Sequence, residues 1–128
     1  MTNSNTPKAM LWTGRVISAL PVLFMLFGFA WAMLHPDDVK KQMEPYGYPQ
    51  QSIQIILYVE LGCILLYAIP QTAVLGAILL TGYLGGATAT HVRAGEPQWF
   101  FPVVMGVLVW LGILLRDARI RSLIPIRR

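Results

Sequence analysis

Four stretches of this chain, residues 16–34, 53–69, 73–90 and 100–115, contain a single charged side chain among them, Glu60. Each is close to the roughly 17–25 apolar residues that carry a helix across the hydrocarbon core of a bilayer, the second and fourth at the short end. Strands of a membrane barrel would alternate apolar and polar residues over about ten positions. Runs such as Val22-Leu23-Phe24-Met25-Leu26-Phe27 do not alternate. The expected fold is therefore an all-α polytopic membrane protein, a four-transmembrane-helix bundle. Composition agrees, with 55% of residues apolar and 12% charged, against roughly 25% charged in soluble domains. The chain divides into a polar tail at residues 1–11, a membrane domain at 12–118 and a basic tail at 119–128.

The first run carries Ala30-Trp31-Ala32 after a basic start, which resembles a secretory cleavage site. The run is longer than a signal core and contains the bulky Trp31, so it reads as a retained span. Orientation follows from Lys and Arg in short loops. Lys8, Arg15, Arg116, Arg119, Arg121, Arg127 and Arg128 lie on the side of the termini, and Lys40, Lys41 and Arg93 on the other. Seven against three places both termini inside. Pro70-Gln71-Thr72 is then a tight inner loop, which makes the second and third spans antiparallel neighbours. Trp12 marks the inner interface, and Trp31, Tyr46, Tyr48 and Trp99 the outer one.

The longest loop, residues 35–52, has a pattern of its own. Pro36 and the acidic Asp37 and Asp38 suit the first turn of a short helix, and Val39 and Met43 at i, i+4 give it a narrow apolar face. This amphipathic helix is expected on the outer membrane surface. Gly47-Tyr48-Pro49 ends it, and Pro49 is placed to open the second span.

Glu60 interrupts the second span about seven residues, or roughly 10 Å, below its outer end. A carboxylate at that depth costs a few kcal/mol unless it faces the bundle, is protonated, or meets donors. It either fixes packing between helices or marks a site. The third span is rich in small residues: Gly82 with Gly86 forms a GxxxG pair that permits close helix approach, and the alternative is that small side chains near the outer end leave a cavity. Near its outer end Tyr83 and Thr88 offer hydroxyls, and His91 closes it, followed by Arg93 and Glu96. The candidate ligand pocket is outward-facing, lined by Glu60, His91, Thr88 and Tyr83. At the inner edge Arg15 either snorkels to lipid phosphates or forms an ion pair with Asp117. Arg119, Arg121, Arg127 and Arg128 read as an anchor to anionic lipid.

Several classes are excluded. Basic residues crowd the chain ends without a soluble basic module, which argues against nucleic acid. The single cysteine, Cys63, permits no intramolecular disulfide, CxxC pair or thiolate zinc site, and no metal is expected. No Walker A loop or dinucleotide fingerprint occurs. His35 and His91 both fall at the outer ends of spans, which disfavours haem.

Gly47-Tyr48-Pro49, Val59-Glu60-Leu61-Gly62, Ala89-Thr90-His91-Val92-Arg93, Trp110 with Arg116, and Arg121-Ser122-Leu123-Ile124-Pro125-Ile126 together resemble the DoxX-like family. The resemblance implies a compact four-helix bundle in the bacterial cytoplasmic membrane, with the family's helix-two glutamate at Glu60 and its helix-three histidine at His91. Some relatives are linked to quinone-dependent oxidation of thiosulfate or to membrane redox complexes. Three functions follow as expectations: a non-catalytic membrane subunit that binds a redox partner or a quinone, a quinone-dependent oxidoreductase, and a small proton-linked transporter. The bilayer is the expected partner, and self-association into a homo-oligomer is compatible with so small a unit.

Overall fold

No water is present in hydrocarbon to satisfy backbone N–H and C=O groups, so apolar runs of this length close their hydrogen bonds within themselves as helices. The computed structural model describes residues 6–127, and these are helical with no strand among them. The helices are α1 (Lys8–Leu34), α2 (Pro36–Met43), α3 (Gln50–Ala68), α4 (Ala73–Arg93), α5 (Phe100–Arg116) and α6 (Ala118–Arg121). Four of them, α1, α3, α4 and α5, are long and apolar enough to cross a membrane. α1 begins well before its apolar run, and its 27 residues span about 40 Å, more than the hydrocarbon thickness of about 30 Å.

The spans run antiparallel, so the two termini share one end of the bundle, here termed the base. The opposite end, with α2 and the end of α4, is the cap. α1 packs on α5 and α3, and α4 on α3 and α5, which closes a ring of four. Pro70–Thr72 forms the tight 3-10 turn expected between α3 and α4. Pro49 stands one position earlier than expected, as the N-cap of α3 instead of its first residue. The loop helix forms as its pattern requires. Val39 is buried against Ala32 and Ile53, with Met43 packed alongside, so the apolar i, i+4 face holds α2 down on α1 and α3.

The main core runs through Ile64, Tyr67, Ala77, Leu80, Met105, Val109 and Ile113. Large apolar side chains such as Leu23, Phe27, Leu34, Ile55 and Val107 point outward, and a belt of that size calls for lipid as its solvent. Polar groups inside the base half are satisfied by one another. The buried Tyr67 hydroxyl donates to the Val109 carbonyl at 2.7 Å and stands 3.0 Å from the Ser18 hydroxyl, joining α3, α5 and α1.

Close backbone approach occurs in the base half and not at the GxxxG pair. A Cβ at Gly76 would overlap the Tyr67 backbone, and one at Gly112 would overlap Ser18. At Gly14 it would lie 2.9 Å from the Gly112 carbonyl oxygen. A Cβ at Gly82 or Gly86 would meet nothing within 4 Å. The reason is register: these two glycines face a gap between α3 and α4 that no side chain fills.

The Arg15–Asp117 ion pair expected from sequence does not form. Asp117 is buried and caps α6, accepting the Arg119 backbone N–H at 2.9 Å and the Arg119 guanidinium at 3.1 and 3.0 Å. Burial pushes the Asp117 carboxyl up, but the bonds from Arg119 outweigh it and hold the group below the usual carboxylate range. A capping residue two positions away wins because it needs no long side chain to be ordered across helices. Arg15 lies over the Trp12 ring, 4.7 Å from its centroid.

These contacts separate the glycines by function. Gly76→Ala is expected to lower stability by about 1–3 kcal/mol through overpacking against the Tyr67 backbone. Gly82→Ala should stay within about 0.5 kcal/mol of the parent or gain slightly from helix propensity. Unfolding in mild detergent followed by circular dichroism measures both, and equal stability of the two variants would contradict the α3–α4 approach.

Candidate functional site

Gly47 and Gly95 adopt the left-handed region, at φ 78° and 73°, a conformation that side-chain-bearing residues reach only with strain. The turn at Gly47 directs Tyr46 and Tyr48 to different partners on the end of α4. The Tyr48 hydroxyl pairs with that of Thr90 at 2.6 Å. The Tyr46 hydroxyl donates to Glu96 Oε1 at 2.5 Å, and His91 Nδ1 lies 2.8 Å from the same oxygen. The His91 ring stands edge-on to Tyr46, centroids 5.7 Å apart. Arg93 donates to the Tyr46 carbonyl at 2.7 Å. The loop after α2 is thereby tied to the end of α4 as a closed cap.

Beneath the cap lies a cavity of about 370 Å³. Met43, Tyr46 and Tyr48 border it from the loop, Ile56 from α3, and Gly82, Tyr83, Gly86, Ala87, Thr90 and His91 from α4. Tyr83 also donates to Glu60 Oε2 at 3.0 Å, so the carboxylate in α3 is turned toward α4. Contrary to the expectation from sequence, Glu60 does not itself line the cavity and reaches it only through Tyr83. From Arg93 down α4, Gly86 lies about 10 Å and Gly82 about 16 Å deep. Both glycines are exposed, and at that depth the surroundings are hydrocarbon rather than water.

Thr88 is not part of this wall. Its hydroxyl donates to the Leu84 carbonyl at 2.8 Å, and the residue borders a different groove, with Pro102 and Gly106 of α5. At about 100° per residue, Thr88 is turned by about 140° from Tyr83, whereas Thr90, seven positions on, returns to nearly the same face. Thr90 replaces Thr88 in the site. Tyr46 and Tyr48 were legible only as interface aromatics, and the spacing that assigns them is the Gly47 turn between them. Among the described residues, no three His, Cys, Asp or Glu lie together as a metal site.

The family model described as the DoxX-like family matches residues 16–112. The chain belongs to the DoxX-like family. No curated protein and no solved structure matches it. The matched segment covers α3 and α4 of this DoxX-like chain entirely and most of α1 and α5, with both residues of the Glu60–Tyr83 pair, so the cavity lies wholly within the family region. At the base, Arg121 donates to the Leu114 carbonyl at 2.6 Å and to the Thr6 hydroxyl at 3.1 Å. Arg119 is engaged by Asp117, Arg127 is exposed, and Arg128 lies outside the described residues.

The cap has a defined pH window. The hydrogen bond to Glu96, then burial and the carboxylate charge, push the Tyr46 hydroxyl from 10.0 up to about 12. The bonds from Tyr46 and His91 hold the Glu96 carboxyl below its ordinary value. The contribution of Tyr46 is therefore whole below its unfolded value and lost as pH rises through about 12. That of Glu96 is whole above the ordinary glutamate range and lost as pH falls through the depressed folded value. In an ultraviolet titration of tyrosinate, Tyr46→Phe should remove one equivalent from the portion near pH 12. Loss of an equivalent near the ordinary tyrosine value instead would show that Tyr46 and Glu96 are not bonded.

Proposed function

We propose that this DoxX-like protein binds a lipid-soluble ligand with a small polar ring, of the quinone class, and serves as a non-catalytic integral subunit of a membrane redox assembly. The observation that carries the reading is the cavity's asymmetry. Toward water it is covered by the hydrogen-bonded residues Tyr46, Glu96 and His91. Toward the bilayer its wall consists of Gly82 and Gly86, whose missing side chains leave open space. A ligand partitioned in the membrane fits such an opening better than a water-soluble one.

The polar lining suits a quinone headgroup when Glu60 carries a proton: the carboxyl then donates to the Tyr83 oxygen, and the Tyr83 hydroxyl, which otherwise gives its proton to Glu60, is free to donate to a ring oxygen. Tyr83, braced by Glu60, stands toward the inner part of the cavity, and the Tyr48–Thr90 pair and His91 toward the cap. At the cap end His91 keeps its Nε2 for a ligand, since Nδ1 is engaged by Glu96, and Ile56 and Ala87 supply apolar lining. A bound quinone would supply two-electron and two-proton chemistry. The chain's own part is to bind the ring, orient it, and hold a proton within the Glu60–Tyr83 pair. The surroundings are read as the bacterial cytoplasmic membrane with both termini cytoplasmic, on the seven-to-three distribution of Lys and Arg. On that orientation the exposed Arg119 and Arg127 meet the anionic inner leaflet.

The test is to purify the protein in mild detergent, extract it for quinones and identify what co-purifies. About one quinone per chain is expected. Tyr83→Phe should lower that occupancy about tenfold by removing the hydroxyl that meets the ring. Glu60→Gln should lower it less, because its amide oxygen still accepts from Tyr83 but carries no proton to hand on, and Gly86→Leu should lower it by filling the opening. Ligand-free protein that conducts protons in liposomes would overturn the proposal in favour of a proton-linked transporter. Orientation is checked in a Cys63→Ser background, where Gln42→Cys should react with an impermeant maleimide in intact cells and Ser122→Cys should not.

A further inference from the structure

A second recess, of about 350 Å³, lies at the cap end between α2, the last turn of α1 and the first half of α3. Its setting is fixed, because α2 is held in place by the buried Val39 against Ala32 and Ile53. α2 contributes Asp37 and Lys40, at i, i+3 on one helix face, about 5–6 Å apart at Cβ. Neither is among the ion pairs of the described residues. α3 contributes Gln50, Gln54 and Tyr58, a row at i, i+4, i+8 that descends about 12 Å from the cap end into the span. All three are exposed. Lipid tails cannot satisfy amide and phenol groups at that depth, whereas the ester carbonyls and glycerol of a phospholipid can.

The geometry points to a binding site for one zwitterionic aminophospholipid of the leaflet at the cap end. Lys40 meets the phosphate diester and Asp37 the primary ammonium that follows it in the headgroup. Gln50 and Gln54 meet the glycerol ester region, and an acyl chain lies along Leu57 and Met33. Charge complementarity selects this occupant: neighbouring positive and negative groups on α2 match a headgroup whose phosphate and ammonium are themselves neighbours. An anionic lipid would satisfy Lys40 and be repelled by Asp37. A quaternary ammonium would lack the N–H that the Asp37 carboxylate accepts. The recess shares no lining residue with the cavity beneath the cap.

Native mass spectrometry of the full chain in detergent tests it, with an equimolar mixture of phosphatidylethanolamine, phosphatidylcholine and phosphatidylglycerol of identical acyl chains. Phosphatidylethanolamine should be retained roughly two- to fivefold over each of the others, the scale of exposed charge pairs. Asp37→Asn should reduce it to the level of phosphatidylcholine, and Lys40→Gln should lower all three. Asp38→Asn and Lys41→Gln, which stand outside the recess, should change nothing and so control for folding. Equal retention of the three lipids, preferential retention of phosphatidylglycerol, or the same effect from the control substitutions would overturn the proposal.

Discussion

The approach of the α4 backbone to Tyr67 at Gly76 is the constraint on which the remaining geometry depends. It brings two antiparallel helices into contact at one pair of residues and thereby sets their register. Seven residues toward the cap on each helix, close to two full turns, stand Glu60 on α3 and Tyr83 on α4. A seven-residue step returns to nearly the same helix face, so the contact that joins Tyr67 to Gly76 also aligns the carboxylate with the hydroxyl. The 3.0 Å bond between them is a consequence of packing near the base. A side chain at Gly76 would displace that register, and with it the only charged-type residue within the four apolar runs would lose its partner in hydrocarbon.

The same residue type has opposite effects at the two ends of the bundle. Gly14, Gly76 and Gly112 allow helices to meet near the base, where Tyr67, Ser18 and the Val109 carbonyl satisfy one another in a closed interior. Without a hydrophobic drive between helices in lipid, such close van der Waals contact and internal hydrogen bonding supply the association. Toward the cap, Gly82 and Gly86 face open space. The helices are already held by the base contacts and by the cap loop, so the gap between them persists as a cavity rather than collapsing.

How much of this was legible in the sequence follows from what kind of information each feature needs. The four spans, the short amphipathic helix carrying Val39 and Met43, and the tight Pro70–Thr72 turn are local consequences of hydropathy and proline, and the structure has all of them. Glu60 stood out because a carboxylate in a span is costly anywhere. Its partner Tyr83 was within reach of the same argument because both lie at similar depth. Thr88 failed because depth alone does not fix a helix face, and five residues rotate it away from Tyr83. The choice between close packing and a cavity at Gly82–Gly86, and that between snorkelling and an Asp117 ion pair for Arg15, were undecided in the sequence for a related reason. Each is a statement about two elements, and the deciding element, α3 register in one case and the Arg119 cap in the other, leaves no mark within the motif itself.

The placement of polar side chains at the cap end argues that the cavity is a maintained feature and not a packing defect. A void in a bundle costs stability through lost contacts, and the least costly remedy would be a larger side chain at Gly82 or Gly86, where space is free. Instead the chain devotes Tyr46, Glu96, His91 and Arg93 to a network that covers the void from above, and two left-handed glycines to the turns that aim them. Ordering these long side chains carries an entropic cost that a simple loop between spans would avoid. A fold that tolerated the gap passively would have no need of a cover. Separating the Glu60–Tyr83 pair from water while leaving its approach open to lipid gives both the void and its cover a purpose.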